Sequence, residues 1–298
     1  MDPISAAVSK ITLPFLLQKK LRGEKITCLT AYDYPTARLV DEAGLDIVLA
    51  GDSLGTTVLG YDTTLPVTLD EMLHHLRAVR RAVRRALLVA DLPFGSYHVS
   101  EEQGVAAAVR YLKEGAEAVK IEGGAKRSAL IHRCVEAEIP VMGHIGLTPQ
   151  SVHAFGGHRV QGKTAESAAS LLADAQAVED AGAFALVLEG IPRELATLIT
   201  GRVRIPTIGI GAGPGCDGQV LVVHDLLGIS PEPRPKFVRP YANVRGIMQE
   251  AFARFREDVC ASRFPGDAES YHWAAAVNDQ FERETERQAA RTSAEFCS

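Results

Sequence analysis

Short apolar runs alternate with amphipathic stretches from about residue 26 to about residue 228. Each unit reads as a strand, a loop and a helix with one apolar face, the pattern of an α/β protein with a parallel sheet. The runs predict strands over Ile26–Ala31, Ile47–Asp52, Leu87–Asp91, Ala118–Glu122, Pro140–His144, Ala185–Glu189, Pro206–Gly211 and Val220–His224. Eight such strands suggest closure into a (β/α)8 TIM barrel. The helices between them include Glu101–Glu114 and Ala165–Ala181, which stop near Gly115 and Gly182 as helix C-termini commonly do. A capping helix is expected over Ser5–Gly23 and the last barrel helix over Tyr241–Ala261. Residues 1–266 therefore read as a single barrel domain with a C-terminal helical extension, and the polar tail 267–298 as mobile or peripheral.

A doubly wound open sheet is the competing architecture, and it would open with a Gly-x-Gly-x-x-Gly turn after the first strand. The chain instead has Gly209-Ile210-Gly211-Ala212-Gly213, late and differently spaced. That run reads either as close backbone approach at the end of the seventh strand or as a tight turn.

With 298 residues, 46% hydrophobic and 23% charged, the chain can bury a full core, which leaves function open. Its net charge of −5 gives no basic footprint for nucleic acid. The one marked basic cluster, Arg77, Arg80, Arg81, Arg84 and Arg85, is spaced along one side of a helix. It reads as a solvated face, with an anion or docking site as the alternative. Five scattered cysteines without a Cys-x-x-Cys pair argue against a disulfide framework and a zinc ribbon. No apolar run approaches the ~20 residues of a membrane span. Met1–Lys25 has no apolar core followed by a cleavage site. The expectation is a soluble, cytoplasmic protein that needs neither membrane nor nucleic acid.

Strands two to six end on Asp52, Asp91, Glu122, His144 and Glu189. Barrels of this type build active sites at the C-terminal strand ends, and a buried strand has no structural use for an anion. A carboxylate capping the next helix would explain one of these acids more easily than three. Oxygen ligands without nearby thiols favour magnesium or manganese over zinc. Lys120 and Glu122 lie two residues apart and share the inward face, so the lysine must meet an anion. That anion is either a neighbouring carboxylate or part of a substrate. Glu189 either favours a helix N-terminus or serves as a general acid/base. His144 is a positioning residue or a proton carrier. The loop Ser151–Lys163, with glycines at 156 and 157, has hinges suited to a lid, a surface excursion being the alternative.

Several motifs recur in order from about residue 10 to about residue 272: Thr30-Ala31-Tyr32-Asp33-Tyr34, Gly51-Asp52-Ser53-Leu54-Gly55, Ala90-Asp91-Leu92-Pro93-Phe94, Val119-Lys120-Ile121-Glu122-Gly123-Gly124 and Gly143-His144-Ile145-Gly146-Leu147-Thr148-Pro149-Gln150-Ser151. By these the chain resembles the ketopantoate (3-methyl-2-oxobutanoate) hydroxymethyltransferase family. The resemblance implies a magnesium-dependent barrel enzyme of pantothenate and coenzyme A biosynthesis. Its reaction moves a hydroxymethyl unit from 5,10-methylenetetrahydrofolate to 3-methyl-2-oxobutanoate through a Mg-stabilised enolate, giving 2-dehydropantoate. It also implies metal positions at Asp52, Asp91 and Glu122, a keto-acid site of Asp52, Ser53, Asp91 and Lys120, Glu189 as proton acceptor, and a homo-oligomer of decamer size. No folate contacts are carried over. The chain departs from the family pattern where Arg84 and Arg85 extend a helix, where Gly190 replaces a common cysteine, and where residues 273–298 exceed the usual length. A lyase or mutase of the phosphoenolpyruvate and isocitrate lyase type would carry a Lys-Lys-Cys-Gly-His loop, which is absent. The intact set of acids argues against a decayed barrel kept as a scaffold.

Overall fold

The computed structural model describes residues 9–295. Eight parallel strands close a barrel in chain order: β1 Ile26–Thr30, β2 Ile47–Ala50, β3 Leu87–Asp91, β4 Ala118–Glu122, β5 Val141–Gly146, β6 Ala185–Glu189, β7 Thr207–Ile210 and β8 Gly218–Leu221. The sequence places most of these within a residue or two. It misplaces the eighth, because Val223 donates its N–H to Thr30 Oγ1 at 3.0 Å and begins a short helix, Val223–Leu226, that takes in His224. The strand-helix alternation also lapses once: residues 211–217 pass from β7 to β8 with no helix between. Within the Gly209–Gly213 run, Gly209 and Ile210 end β7, where a Cβ on Gly209 would stand 2.9 Å from Cys216 Sγ, and residues 211–213 begin the turn toward β8.

Side-chain alternation sorts the core into two shells. Ile26, Cys28, Ile47, Leu49, Leu87, Val89, Ala118, Met142, Ala185, Val187, Ile208 and Val220 pack together inside the barrel. Their neighbours one position along, such as Val48, Leu88, Val119, Val141 and Leu186, join the helices in an outer cluster. The inward phase continues beyond the apolar plug onto Asp91, Lys120, Glu122, His144 and Glu189. Period-2 alternation thus sets five ionisable groups at the open end.

At the opposite end, Ile11 and Leu16 belong to the inner cluster, so the helix Leu13–Arg22 plugs the barrel. It starts later than expected because Pro14 fits only a first turn, and residues 5–8 of the expected helix lie outside the described residues. Two matched clamps fasten it. Thr27 donates its N–H and hydroxyl to Asp46 Oδ2 at 2.8 and 2.9 Å, and that oxygen also meets Lys19 Nζ at 2.7 Å. Thr207 treats Asp217 Oδ2 in the same way at 2.8 and 3.1 Å, with Lys20 Nζ at 2.9 Å.

Arg84 and Arg85 do not extend a helix. Leu69–Ala82 ends first, and the backbone N–H groups of Arg84, Arg85 and Ala86 converge on the Asp41 carboxylate at 2.7–3.0 Å. The arginine run is therefore split between a helix and a turn, with Arg77 paired to Glu114 at 2.6 Å and Arg85 bonded to the carbonyls of Gly44 and Leu45.

The chain forms two compact units that meet in sequence between Asn243 and Val244. The later unit contains the helix Val244–Cys260, which buries none of its residues, a turn at Asp267–Glu269, and the helix Ala275–Glu295. The polar tail, expected to be mobile or peripheral, is largely helical, as its Ala, Glu, Gln and Arg content favours. Phe255 packs edge-on to Phe264, and Trp273 to Phe281. Among the described residues no helix is long and apolar enough to cross a membrane. Cys28, Cys134, Cys216 and Cys260 are free thiols.

Candidate active site

The strand ends gather the acids, the lysine and the histidine that the sequence singles out there. Asp52, Asp91, Lys120, Glu122 and His144 are each at most 5% exposed. Lys120 Nζ lies 2.7 Å from Asp91 Oδ1, 3.7 Å from Glu122 Oε1 and 3.2 Å from His144 Nδ1. His144 reaches Glu122 Oε1 at 3.5 Å through Nδ1 and Glu189 Oε2 at 3.2 Å through Nε2. The backbone N–H of Asp52 donates to Asp91 Oδ2 at 3.1 Å, and Ser53 Oγ meets Tyr32 Oη at 2.8 Å.

Two glycines permit this density. A Cβ on Gly51 would stand 2.9 Å from Ser53 Oγ and 3.3 Å from Asp91 Oδ2. Gly146 has a φ of 95°, and a Cβ there would come within 2.2 Å of the Glu189 carbonyl.

Burial, then the charges of Asp91 and Glu122, push the Asp52 carboxyl well above the ordinary carboxylate range. Burial also raises Asp91, against the charge and hydrogen bond of Lys120. Glu122 moves the other way: burial would raise it, but the hydrogen bond from His144 and the charge of Lys120 prevail and hold it low. Lys120 is held above its usual value because Asp91, Glu122 and Asp52 together outweigh its own burial. Burial and Lys120 draw the His144 imidazole down, yet hydrogen bonds to Glu122 and Glu189 prevail and bring it up to about 9.

Four carboxylates, from Asp52, Asp91, Glu122 and Glu189, thus face one ammonium and one imidazole. The all-oxygen donor set and this excess of acid fit a hard divalent cation. Glu122 Oε1 is buried and has no close partner, with His144 Nδ1 at 3.5 Å and Lys120 Nζ at 3.7 Å. Among the described residues no three such groups are drawn in close enough to hold an ion, and the Lys120 ammonium lies 2.7 Å from Asp91 and 3.7 Å from Glu122.

Sequence reasoning passed over Gln150 and Tyr97, both buried beside the acids. Gln150 donates from Nε2 to Asp52 Oδ2 at 2.8 Å and to the Leu92 carbonyl at 2.9 Å, and from its backbone N–H to Glu122 Oε2 at 3.0 Å. Tyr97 donates its hydroxyl to Gln150 Oε1 at 2.6 Å. The only sequence signal was a glutamine inside an otherwise apolar and turn-forming stretch. The loop Ser151–Lys163 contains a short helix, Val152–Phe155, and at its far side Gln161 donates its N–H to the Gly190 carbonyl at 2.9 Å.

A closed parallel barrel with an acid-lined mouth at the C-terminal strand ends makes this a (β/α)8 protein of the kind that builds its site on βα loops. Solved structures share that fold: a phosphonopyruvate hydrolase complexed with oxalate and Mg2+ (TM-score 0.58, 16% identity, 94% of this chain and 98% of the other) and a 2,3-dimethylmalate lyase (0.54, 17%, 92% and 98%). At that identity the likeness concerns the fold alone. Sequence relatives are much nearer. A 3-methyl-2-oxobutanoate hydroxymethyltransferase of Koribacter versatilis is 61% identical over 265 residues, covering 89% of this chain and 90% of the relative. One from Ignicoccus hospitalis is 52% identical, covering 89% and 100%. The sequence signature of ketopantoate hydroxymethyltransferase matches residues 10–267, and the chain belongs to that family.

Proposed function

We propose that the protein transfers a hydroxymethyl unit from 5,10-methylenetetrahydrofolate to 3-methyl-2-oxobutanoate, giving 2-dehydropantoate for pantothenate and coenzyme A synthesis. The observation that carries this reading is the inward column of Lys120, Glu122, His144 and Glu189, which sets a cation for an anionic substrate beside a carboxylate base. Family membership supports the substrate. Asp52, Asp91 and Glu122 would hold Mg2+, which when bound stabilises negative charge developing on a keto oxygen.

The chain's own groups do the rest. Lys120 exchanges part of its pairing with Asp91 for the substrate carboxylate, and Ser53, oriented by Tyr32, donates a hydrogen bond to it. Glu189 accepts the C3 proton, and His144 holds the carboxylate of Glu189 toward the barrel axis. The loop 151–163 would close over the bound pair. Exposed Ile247, Phe252 and Phe255 on the helix Val244–Cys260 support assembly into a homo-oligomer, which we read as a decamer.

Proton NMR of 3-methyl-2-oxobutanoate in heavy water tests the first half-reaction: protein and Mg2+ should erase the C3 proton signal, and methylenetetrahydrofolate should then yield product. In Glu189→Gln the exchange should slow by on the order of 10²–10⁴-fold with keto-acid affinity little changed. Exchange at the unmodified rate would remove Glu189 from the base role.

A further inference from the structure

The hydrogen bonds around Gln150 form a closed circuit that joins the C-terminal end of β4 to the loops after β2, β3 and β5. Beginning at β4, the backbone N–H of Glu122 donates to Tyr97 Oη at 3.3 Å, and that hydroxyl donates to Gln150 Oε1. Gln150 then donates twice from its amide, to Asp52 and to the Leu92 carbonyl, and its own backbone N–H returns to the Glu122 carboxylate. Asp52 follows β2, Leu92 and Tyr97 follow β3, and Gln150 follows β5. Gln150 is 5% exposed and Tyr97 2%.

The direction of every bond is fixed by chemistry. The Leu92 carbonyl can only accept, so the amide nitrogen must face it and Asp52, which turns Oε1 toward Tyr97. A hydroxyl has one proton to give, so Tyr97 gives it to Gln150 and accepts from Glu122. The circuit engages Oδ2 of Asp52 and Oε2 of Glu122, leaving the other oxygen of each acid outside it. It is the amide and N–H of Gln150 that tie Asp52, just after β2, to Glu122, at the end of β4.

From this geometry we infer that Gln150 is a positioning residue, which fixes Asp52 and Glu122 as a pair for the cation, with Tyr97 setting the orientation of its amide. The inference rests on the reading of these acids as cation ligands. Groups that orient metal ligands in this way typically contribute 10–100-fold to metal affinity.

The test is titration of metal-free protein with Mn2+ alone, followed by electron paramagnetic resonance of the unbound ion, with thermal unfolding recorded in parallel. Gln150→Met, which keeps the volume and removes the amide, should weaken Mn2+ binding by about 10–100-fold. Tyr97→Phe should weaken it in the same direction by less, and the double variant should be no weaker than Gln150→Met. A structural role alone would lower the unfolding temperature and leave the Mn2+ dissociation constant unmoved, which would overturn the inference. So would additive losses in the double variant. If Gln150→Met does not fold, Tyr97→Phe decides: weakened binding upholds the inference and unchanged binding overturns it. Wild-type protein that fails to take up Mn2+ would instead overturn the cation reading, and this inference with it.

Discussion

Lys120 holds the densest charge in the barrel together, and its removal tells how much. Exchanging it for methionine leaves Asp91 and Glu122 buried without their cation, which should cost about 3–5 kcal/mol of folding stability in urea denaturation. The deficit should depend on pH. Burial would raise Glu122, but the His144 hydrogen bond and the Lys120 charge hold it low, and the stability a lowered acid contributes is present above the unfolded value of about 4 and lost as pH falls through the folded one. The variant should therefore approach wild type in acid and diverge toward neutral pH. At this scale the sequence was informative for ionisable residues, since an acid closing an apolar strand has few other uses. It was uninformative for Gln150 and Tyr97. Their partners lie far away in the chain, Gln150 reaching Asp52 across 98 positions and Tyr97 across 53, so no local pattern marks them.

Elements were legible where a cap or a period is local. The helix Leu69–Ala82 begins with a full capping box, Thr68 and Glu71 satisfying each other's backbone N–H groups. Thr68→Ala should cost about 1 kcal/mol by thermal or urea unfolding. Glu71 is held below its usual range by hydrogen bonds from Tyr61 and Thr68. Its contribution is present above the unfolded pKa and lost as pH falls through the folded one, so the Thr68→Ala difference should narrow in acid. Boundaries set by distant partners were harder. The eighth strand stops early because Val223 bonds to Thr30, and Arg84 and Arg85 leave the helix because Asp41 collects their N–H groups. The missing helix between β7 and β8 leaves a stretch of turn residues that reads equally well as a strand end.

At the scale of the barrel, the two shells of side chains were foreseeable from alternation alone, whereas the fastening of its closed end was not. Leu16 is fully buried among the inward residues, and Leu16→Ala should cost about 2–5 kcal/mol, measurable by urea unfolding, without touching the mouth chemistry. The twin threonine–aspartate clamps beneath it have a temporal meaning. Lys19 grips Asp46, a near neighbour in the chain, but Lys20 grips Asp217 across 197 positions, beside the seam where β8 meets β1. Contacts of such sequence separation form slowly, because the intervening chain must first be ordered. A segment made early on the ribosome must therefore wait for one made far later, and until the seam shuts, one of its two clamps does not exist.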